Sequence, residues 1–507
     1  MGHQEGFQPK LFYHQISLEQ RVPKDRILRK IQKKIDFDFI YGEVRETYGD
    51  NGNVSIPPPV ILKMMLLLIL YNVRSERELM ETIPMRLDWL WLLGYDLDSE
   101  VADHSVLSKA RARWGVEAFR SFFERIVWQC VEAGLVDGEK LFVDSSLIDA
   151  NASNNSVVDR QSLRRYLNKS YRRLEERLDD LMGQKSAPVE SRYVSTTDPE
   201  ASVVRQRGSK PKLRYKTHRA VDVRSEVITA TQLTPGSREE GDLLGEMIEG
   251  HERAVRKKVE KVETVVADSR YGKIDNFLLC HDLGMKAHMP SLEETQRGYG
   301  RQRGIFPREA FTYDSETDTF RCPAGQVLRR TSFNRVRNHY EYRIDGGICA
   351  GCKLRGKCTH AKEGRTLKRH LRQDELDRML TKAKNREAKT DLRTRQHLSE
   401  RSFAQAQRDG YKRARWRGLR RVQIQDYLTA AVQNIQILME HLKGRAINVA
   451  IRLQGQVTSV FKRPIDSLRS MLNIFVIKRS TCPTYRSLDF GNSPSTPDTF
   501  PMVFSPT

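Results

Sequence analysis

Three acids in the sequence stand where carboxylates can be gathered around a cation. Asp268 ends the apolar part of Lys-Val-Glu-Thr-Val-Val-Ala-Asp-Ser-Arg-Tyr-Gly (residues 261–272), and Asp144 closes the run Leu-Phe-Val-Asp. Glu400 lies in His-Leu-Ser-Glu-Arg-Ser-Phe-Ala-Gln-Ala-Gln, where Leu398 and Phe403 would share the core face of a helix. Phosphoryl transfer with two divalent cations, Mg²⁺ or Mn²⁺, needs hard oxygen ligands from separate elements that converge around ions roughly 4 Å apart. Asp144 and Asp268 would supply two ligands. The third is expected from a helix packed on the sheet after its last strand, and Glu400 is the best candidate. Each acid also has a plainer reading. Asp268 can simply begin a turn, Glu400 can be a solvated helical residue, and Asp149, five residues past Asp144, competes with it for any chemical role.

The elements that must position these acids follow from periodicity. Val262, Val265, Val266 and Ala267 read as a short strand covered on both faces. Residues 274–283 read as a helix closed by Gly284, and residues 285–289 as a returning strand stopped by Pro290. An acid at the carboxyl end of the first strand of such a βαβ unit sits where open α/β sheets bind ligands. Upstream, residues 141–144 form a strand ending on its acid, and residues 213–221 and 226–233 form a hairpin turning at 222–225. Ser237 and Glu240 have capping-box spacing ahead of a helix through Leu243, Leu244, Met247 and Ile248. The order strand, strand, strand, helix, strand, helix, strand, with acids ending the first and fourth strands, predicts an α/β protein with an RNase H-like mixed sheet flanked by helices.

Charge points to the partner. Lys and Arg outnumber Asp and Glu by 87 to 65, a net charge of +22, which favours a polyanion, nucleic acid first, because each phosphate neutralised releases counterions. After Glu400 the cations Arg401, Arg408, Lys412, Arg413, Arg415, Arg417, Arg420 and Arg421 face only Asp409, with Tyr411 and Trp416 between them. Such a run suits a phosphate-tracking surface beside a cleavage site; a solvated basic helix is the alternative.

Seven cysteines in a long chain do not suggest a disulfide framework, but their spacing is informative. Cys322-Pro-Ala-Gly, Cys349-Ala-Gly-Cys352 and Cys358 supply four thiolates suited to a tetrahedral structural Zn²⁺, in a zinc-ribbon-like segment too poor in apolar residues to fold unaided. Free cysteines in a loop are the other reading. Cys130, Cys280 and Cys482 fit packing positions.

Pro57-Pro58-Pro59 opens an apolar helix over residues 60–71, too short to span a membrane. Further helices are expected over 75–83, 85–93 and 105–114, with Asp103 a possible cap for the last, and a linking helix over 116–133. Lys109, Arg111 and Arg113 make this region either a helix-turn-helix reader of DNA or a helical packing or dimerisation domain. The expected domains are a helical DNA-binding domain (1–115), a catalytic core (116–290) with an amphipathic helical insert (160–183), an insertion subdomain with four cysteines (291–395), core C-terminal helices carrying Glu400 (396–445), and a partly disordered tail (446–507). No secretory signal is visible at the N-terminus, so a cytoplasmic, nucleoid-associated protein is expected.

Five segments together resemble bacterial insertion-sequence transposases of the DDE class: Leu-Phe-Val-Asp-Ser-Ser-Leu-Ile-Asp-Ala-Asn-Ala-Ser, Tyr-Lys-Thr-His-Arg-Ala-Val-Asp, Val-Ile-Thr-Ala-Thr-Gln-Leu-Thr-Pro-Gly, Ala-Asp-Ser-Arg-Tyr-Gly and Glu-Arg-Ser-Phe-Ala-Gln-Ala. The resemblance runs in the family's order from about residue 10 to about 445. It implies a catalytic core in which Asp144, Asp268 and Glu400 match the DDE triad, an N-terminal domain that binds the element's ends, and a long insertion before the Glu. It further implies double-stranded DNA as substrate, a homodimer in the DNA complex, and Lys216 and Arg219 among the DNA contacts. Many relatives carry a Tyr and an Arg shortly before the Glu and a Lys seven residues after it; here stand Arg393, Arg395 and Gln407, with Arg408 as a substitute. That leaves open which cation holds the phosphate flanking the reaction. The expected function is binding of terminal inverted repeats, then metal-dependent strand cleavage and transfer. A nuclease without strand transfer and a catalytically dead DNA-binding relative are the rivals.

Overall fold

The computed structural model describes residues 17–48, 55–159, 193–206, 208, 210–255, 261–292, 295, 304–344 and 346–443. The amphipathic segment 160–183, the tail 446–507 and Cys482 lie outside the described residues. Among the described residues, no helix is long and apolar enough to cross a membrane.

The N-terminal region is helical. Its centre is α1 (Pro58–Leu70), whose prolines sit in the first turn where no intrahelical donor is needed, and whose run of Ile, Leu and Met is buried on every side. Glu76–Thr82 is capped by the Ser75 hydroxyl, which accepts from the Glu78 N–H. The helix expected at 105–114 and its linking partner form one element, α2 (Ser105–Glu132), broken at Gly115, where φ is 73°. The hydrophobic cluster of this region runs without interruption into Val221 and Ile228 and into the helix over residues 419–443. The boundary expected near residue 115 is therefore a change of architecture inside a shared core.

The main sheet has six strands: β1 (Lys140–Asp149), β4 (Ser202–Val204), β5 (Lys212–Asp222), β6 (Ile228–Pro235), β7 (Thr264–Val266) and β8 (Lys286–His288). The short strands β2 (Val157–Asp159) and β3 (Tyr193–Ser195) pair separately. β5 is central to an antiparallel meander between β1 and β6, whereas β7 and β8 add to β1 in parallel. Helices α3 (Leu244–Val255) and α4 (Ile274–Asp282) join the strands. One face of the sheet packs Val143, Ala220 and Ala230 against Leu244, Met247 and Ile248. On the other, the 419–443 helix spends its polar side chains on the sheet: Asp426 accepts from the hydroxyls of Thr217 and Thr231, and Asn434 bridges both backbone groups of Ile228.

Between α4 and the final helices lies a five-stranded antiparallel sheet, β9 (Thr312–Asp314), β10 (Thr319–Arg321), β11 (Val327–Asn334), β12 (His339–Arg343) and β13 (Thr366–His370), in the order β13-β12-β11-β10-β9. The inserted segment is shorter than the sequence suggested. Helix α5 (Gln373–Lys382) returns Leu376 and Met379 to the core of the main sheet, and α6 (Arg386–Arg408) already crosses that sheet. Asn385 starts α6 by accepting from the Ala388 N–H at 2.6 Å.

Candidate active site

Phe142 on β1 pairs in register with Val266 on β7. Asp144 lies two residues past this pair on β1 and Asp268 two residues past it, beyond the end of β7, and the Asp144 carboxyl feels the charge of Asp268. Asp144 does not end its strand, as the sequence implied. β1 continues to Asp149 because β5 pairs with it throughout, while β7 stops at Val266. The rival Asp149 is paired with Lys212 (3.1 Å) and Arg214 (2.9 Å).

Helix α6 covers this level, with Leu398 packed on Phe142 and Val266. Arg395 meets Asp144 at 2.6 Å, and the Ser399 hydroxyl lies beside the same carboxylate. Burial pushes the Asp144 carboxyl above its ordinary pKa, against the pull of Arg395; the charge of Asp268 adds to the rise. Asp268 is likewise raised, by burial first and then by the charge of Glu240. Two partly desolvated carboxylates of like sign thus stand near one another, each held above its ordinary pKa.

Glu400 follows Ser399 on α6 but points to solvent, where it accepts from Gln396 at 3.1 Å. The acid nearest Asp268 in electrostatic effect is instead Glu240, which sequence reasoning missed. The capping box expected of Ser237 and Glu240 does not form. Ser237 bonds the Ser202 hydroxyl at 2.8 Å, and Glu240, 7% exposed, meets Lys216 at 3.2 Å and Arg270 at 2.9 Å. No local pattern signals this, because its partners lie 24 and 30 residues away.

The basic residues divide. Arg401, Arg408, Lys412, Arg413 and Arg417 are exposed. Arg219 and Lys216 are interior, contrary to their expected place among DNA contacts. Arg219 donates to the Ser402 hydroxyl and to Gln433, because the 419–443 helix covers its strand, and Lys216 is held by Glu240 and the Arg238 carbonyl. Arg415 is pinned to Asn72 and to the Val73 carbonyl, and Arg111, buried beside Glu76, lies over the Trp416 ring. Trp416 therefore joins the loop to the N-terminal helices, and Tyr411 is buried against Leu213, Tyr215 and Leu233 of the main sheet, so neither ring is offered to bases.

The residues from 16 to 113 match a transposase domain (DUF772), and those from 321 to 439 match a transposase DDE domain. Both matches are to transposase domains, the second of the DDE class, and support an insertion-sequence DDE transposase. No curated protein matches it. The DDE match takes in the inserted sheet from the end of β10 onward, Glu400 and the basic loop, while β9, Asp144 and Asp268 lie upstream of it.

Four cysteines of the inserted segment face one region of its sheet. Cys322, Cys349, Cys352 and Cys358 line one small cavity, and the Cys358 thiol is raised by burial and by the other three sulfurs. The Gln326 N–H donates to the Cys322 sulfur at 3.3 Å. The four sulfurs share this cavity without closing to metal-ligand spacing of one another, so the Zn²⁺ site expected from their spacing is not formed among the described residues. Cys130 and Cys280 are buried packing residues, their thiols pushed up to about 12 by desolvation.

Proposed function

We propose that the protein cuts DNA at the terminal inverted repeats of its element and joins the freed ends to target DNA. The observation that carries this reading is the placement of Asp144 and Asp268, each two residues past the Phe142–Val266 pair under α6, with Arg395 set against Asp144. The meander β1-β5-β6 with β7 and β8 added in parallel supports an RNase H-like core. Asp144 and Asp268 would hold Mg²⁺, and Glu400 would join them by turning from Gln396, one residue from Ser399 on the same helix. A divalent cation held there supplies activation of the attacking oxygen and neutralisation of the phosphate.

The chain's own groups do the rest. Arg395 offsets one buried carboxylate, Leu398 seals the floor of the site, and the exposed cations of the 401–417 stretch hold the DNA backbone. Water displaces the 3′-oxygen at the element boundary, and the released 3′-hydroxyl then displaces an oxygen of a target phosphate, so one bond forms for each that breaks. A Zn²⁺ held by Cys322, Cys349, Cys352 and Cys358 is structural, and the acting form is a homodimer on DNA.

The test is cleavage of a labelled duplex carrying the element's end, with Mg²⁺ or EDTA. Wild type should nick at the boundary only with metal, and Asp268→Ala should lower the rate by at least about 10³-fold while duplex affinity stays within about threefold. Metal-dependent cutting at no defined sequence would favour a plain nuclease. Binding without any nicking would favour a dead relative.

A further inference from the structure

We propose that Arg270, anchored by Glu240, is the cation that holds the phosphate next to the one attacked. The inference rests on the cleavage reading above and answers what the sequence leaves open there.

Four arginines compete for the role, of which Arg393 lies seven residues before Glu400 on α6, about 10 Å along the helix. Arg395 is committed to Asp144 and its side chain is only 12% exposed. Arg408 ends α6 eight residues beyond Glu400, which is about 12 Å along a helix. Arg270 is two residues from Asp268, its own N–H donates to the Asp268 carboxylate at 2.9 Å, and its side chain is 67% exposed. One edge of its guanidinium is held by Glu240, leaving the rest of the planar fork open to an anion in the way a bidentate phosphate contact requires.

The anchor is built, not incidental. The turn carrying Glu240 is latched to the turn carrying Arg270: the Asn276 amide donates to the carbonyls of both Gly241 and Tyr271, and Lys273 meets Glu239 and Asp242. A Cβ on residue 241 would lie 2.8 Å from the Arg270 carbonyl, so only glycine lets the turns close this far. Lys216 balances the charge of Glu240 from the interior side. Glu240 is thus a positioning residue, and Arg270 is the group that touches DNA.

The experiment is single-turnover cleavage by the full-length protein of the end duplex, with and without a neutral methylphosphonate replacing the flanking phosphate. Arg270→Ala, at an exposed side chain, should cut about 10²-fold more slowly with duplex affinity lowered by no more than about tenfold, and Arg270→Lys should recover part of the loss. The methylphosphonate should slow wild type by a similar factor and add nothing to Arg270→Ala. Glu240→Asp, which keeps the charge beside Lys216, should cut more slowly than wild type and lose that effect in the Arg270→Ala background. A full methylphosphonate penalty in Arg270→Ala, or an Arg270→Ala enzyme as fast as wild type, overturns the assignment. Absence of cutting by wild type on the unmodified duplex overturns the cleavage reading instead.

Discussion

The main sheet and the inserted sheet solve the same problem with different resources. In the main sheet, residues 213–222 of β5 are buried without interruption between α3 and the 419–443 helix. That cover is thick enough to bury Arg219 and Asp426 within hydrogen-bond networks. In the inserted sheet, β11 is exposed at all but one position, and the buried apolar cluster is seven residues, one of them Cys349. A sheet with so little to bury does not offset its chain entropy alone. The lesson is that charge can be stored where apolar cover is deep, whereas the thin sheet has little beyond its seven-residue cluster to hold it, and the proposed Zn²⁺ on the four cysteines lining its cavity would supply the missing cross-link.

The largest effect expected from this contrast is on metal removal. Structural zinc contributes on the order of 10 kcal/mol to a small domain that cannot fold without it. Stripping the metal with a thiol-competitive chelator, or replacing Cys349 with Ser, should release one Zn²⁺ per chain and open the segment around residues 304–372 to protease. All five tryptophans, Trp89, Trp91, Trp114, Trp128 and Trp416, lie outside that segment, so the melting transition followed by tryptophan fluorescence should stay within about 2 °C. A protein that purifies without zinc and resists protease there would break the comparison.

What was legible in the sequence follows the same division. The strands around Asp144 and Asp268, the helix over 274–282 and the α1 helix were readable because short β-branched runs and proline-initiated apolar runs are dictated locally. Gly272 was readable as a turn for a reason that the fold makes concrete: a Cβ there would sit 1.9 Å from the Pro290 carbonyl oxygen. The interior places of Arg219, Lys216 and Arg415 were not readable, because a basic side chain looks the same in sequence whether it meets phosphate or a buried partner far along the chain. Glu240 was misread for that reason, and the end of β1 because β5, 70 residues on, sets its length. Gly272→Ala should therefore cost about 3 kcal/mol by overpacking and slow cleavage about 10²-fold by displacing the turn that carries Asp268. Preserved activity in this variant would mean that the turn is not held as tightly as the main sheet around it.

The smallest expected effect concerns acid and sharpens the picture of a deep core. His251 on α3 is 1% exposed, donates to or accepts from Thr229 at 2.8 Å, and is pushed by burial to a pKa of about 4. Its folded pKa lies below the unfolded value near 6.5, so the unfolded chain binds the extra proton first. Stability is then complete above pH 6.5 and is lost as pH falls towards 4, with about 2 kcal/mol gone at pH 5. The raised carboxylates Asp144, Asp268 and Asp426 act in the opposite sense, since their folded pKa values lie above the unfolded ones and acid relieves their burial. A difference measurement separates the two. His251→Gln keeps a polar partner for Thr229 but cannot titrate, so its melting temperature should lie below wild type at pH 7.5, and the gap should close by pH 5. A gap that stays constant over this range would mean that His251 is protonated in the folded protein and that the cover of the main sheet is shallower than its buried charges imply.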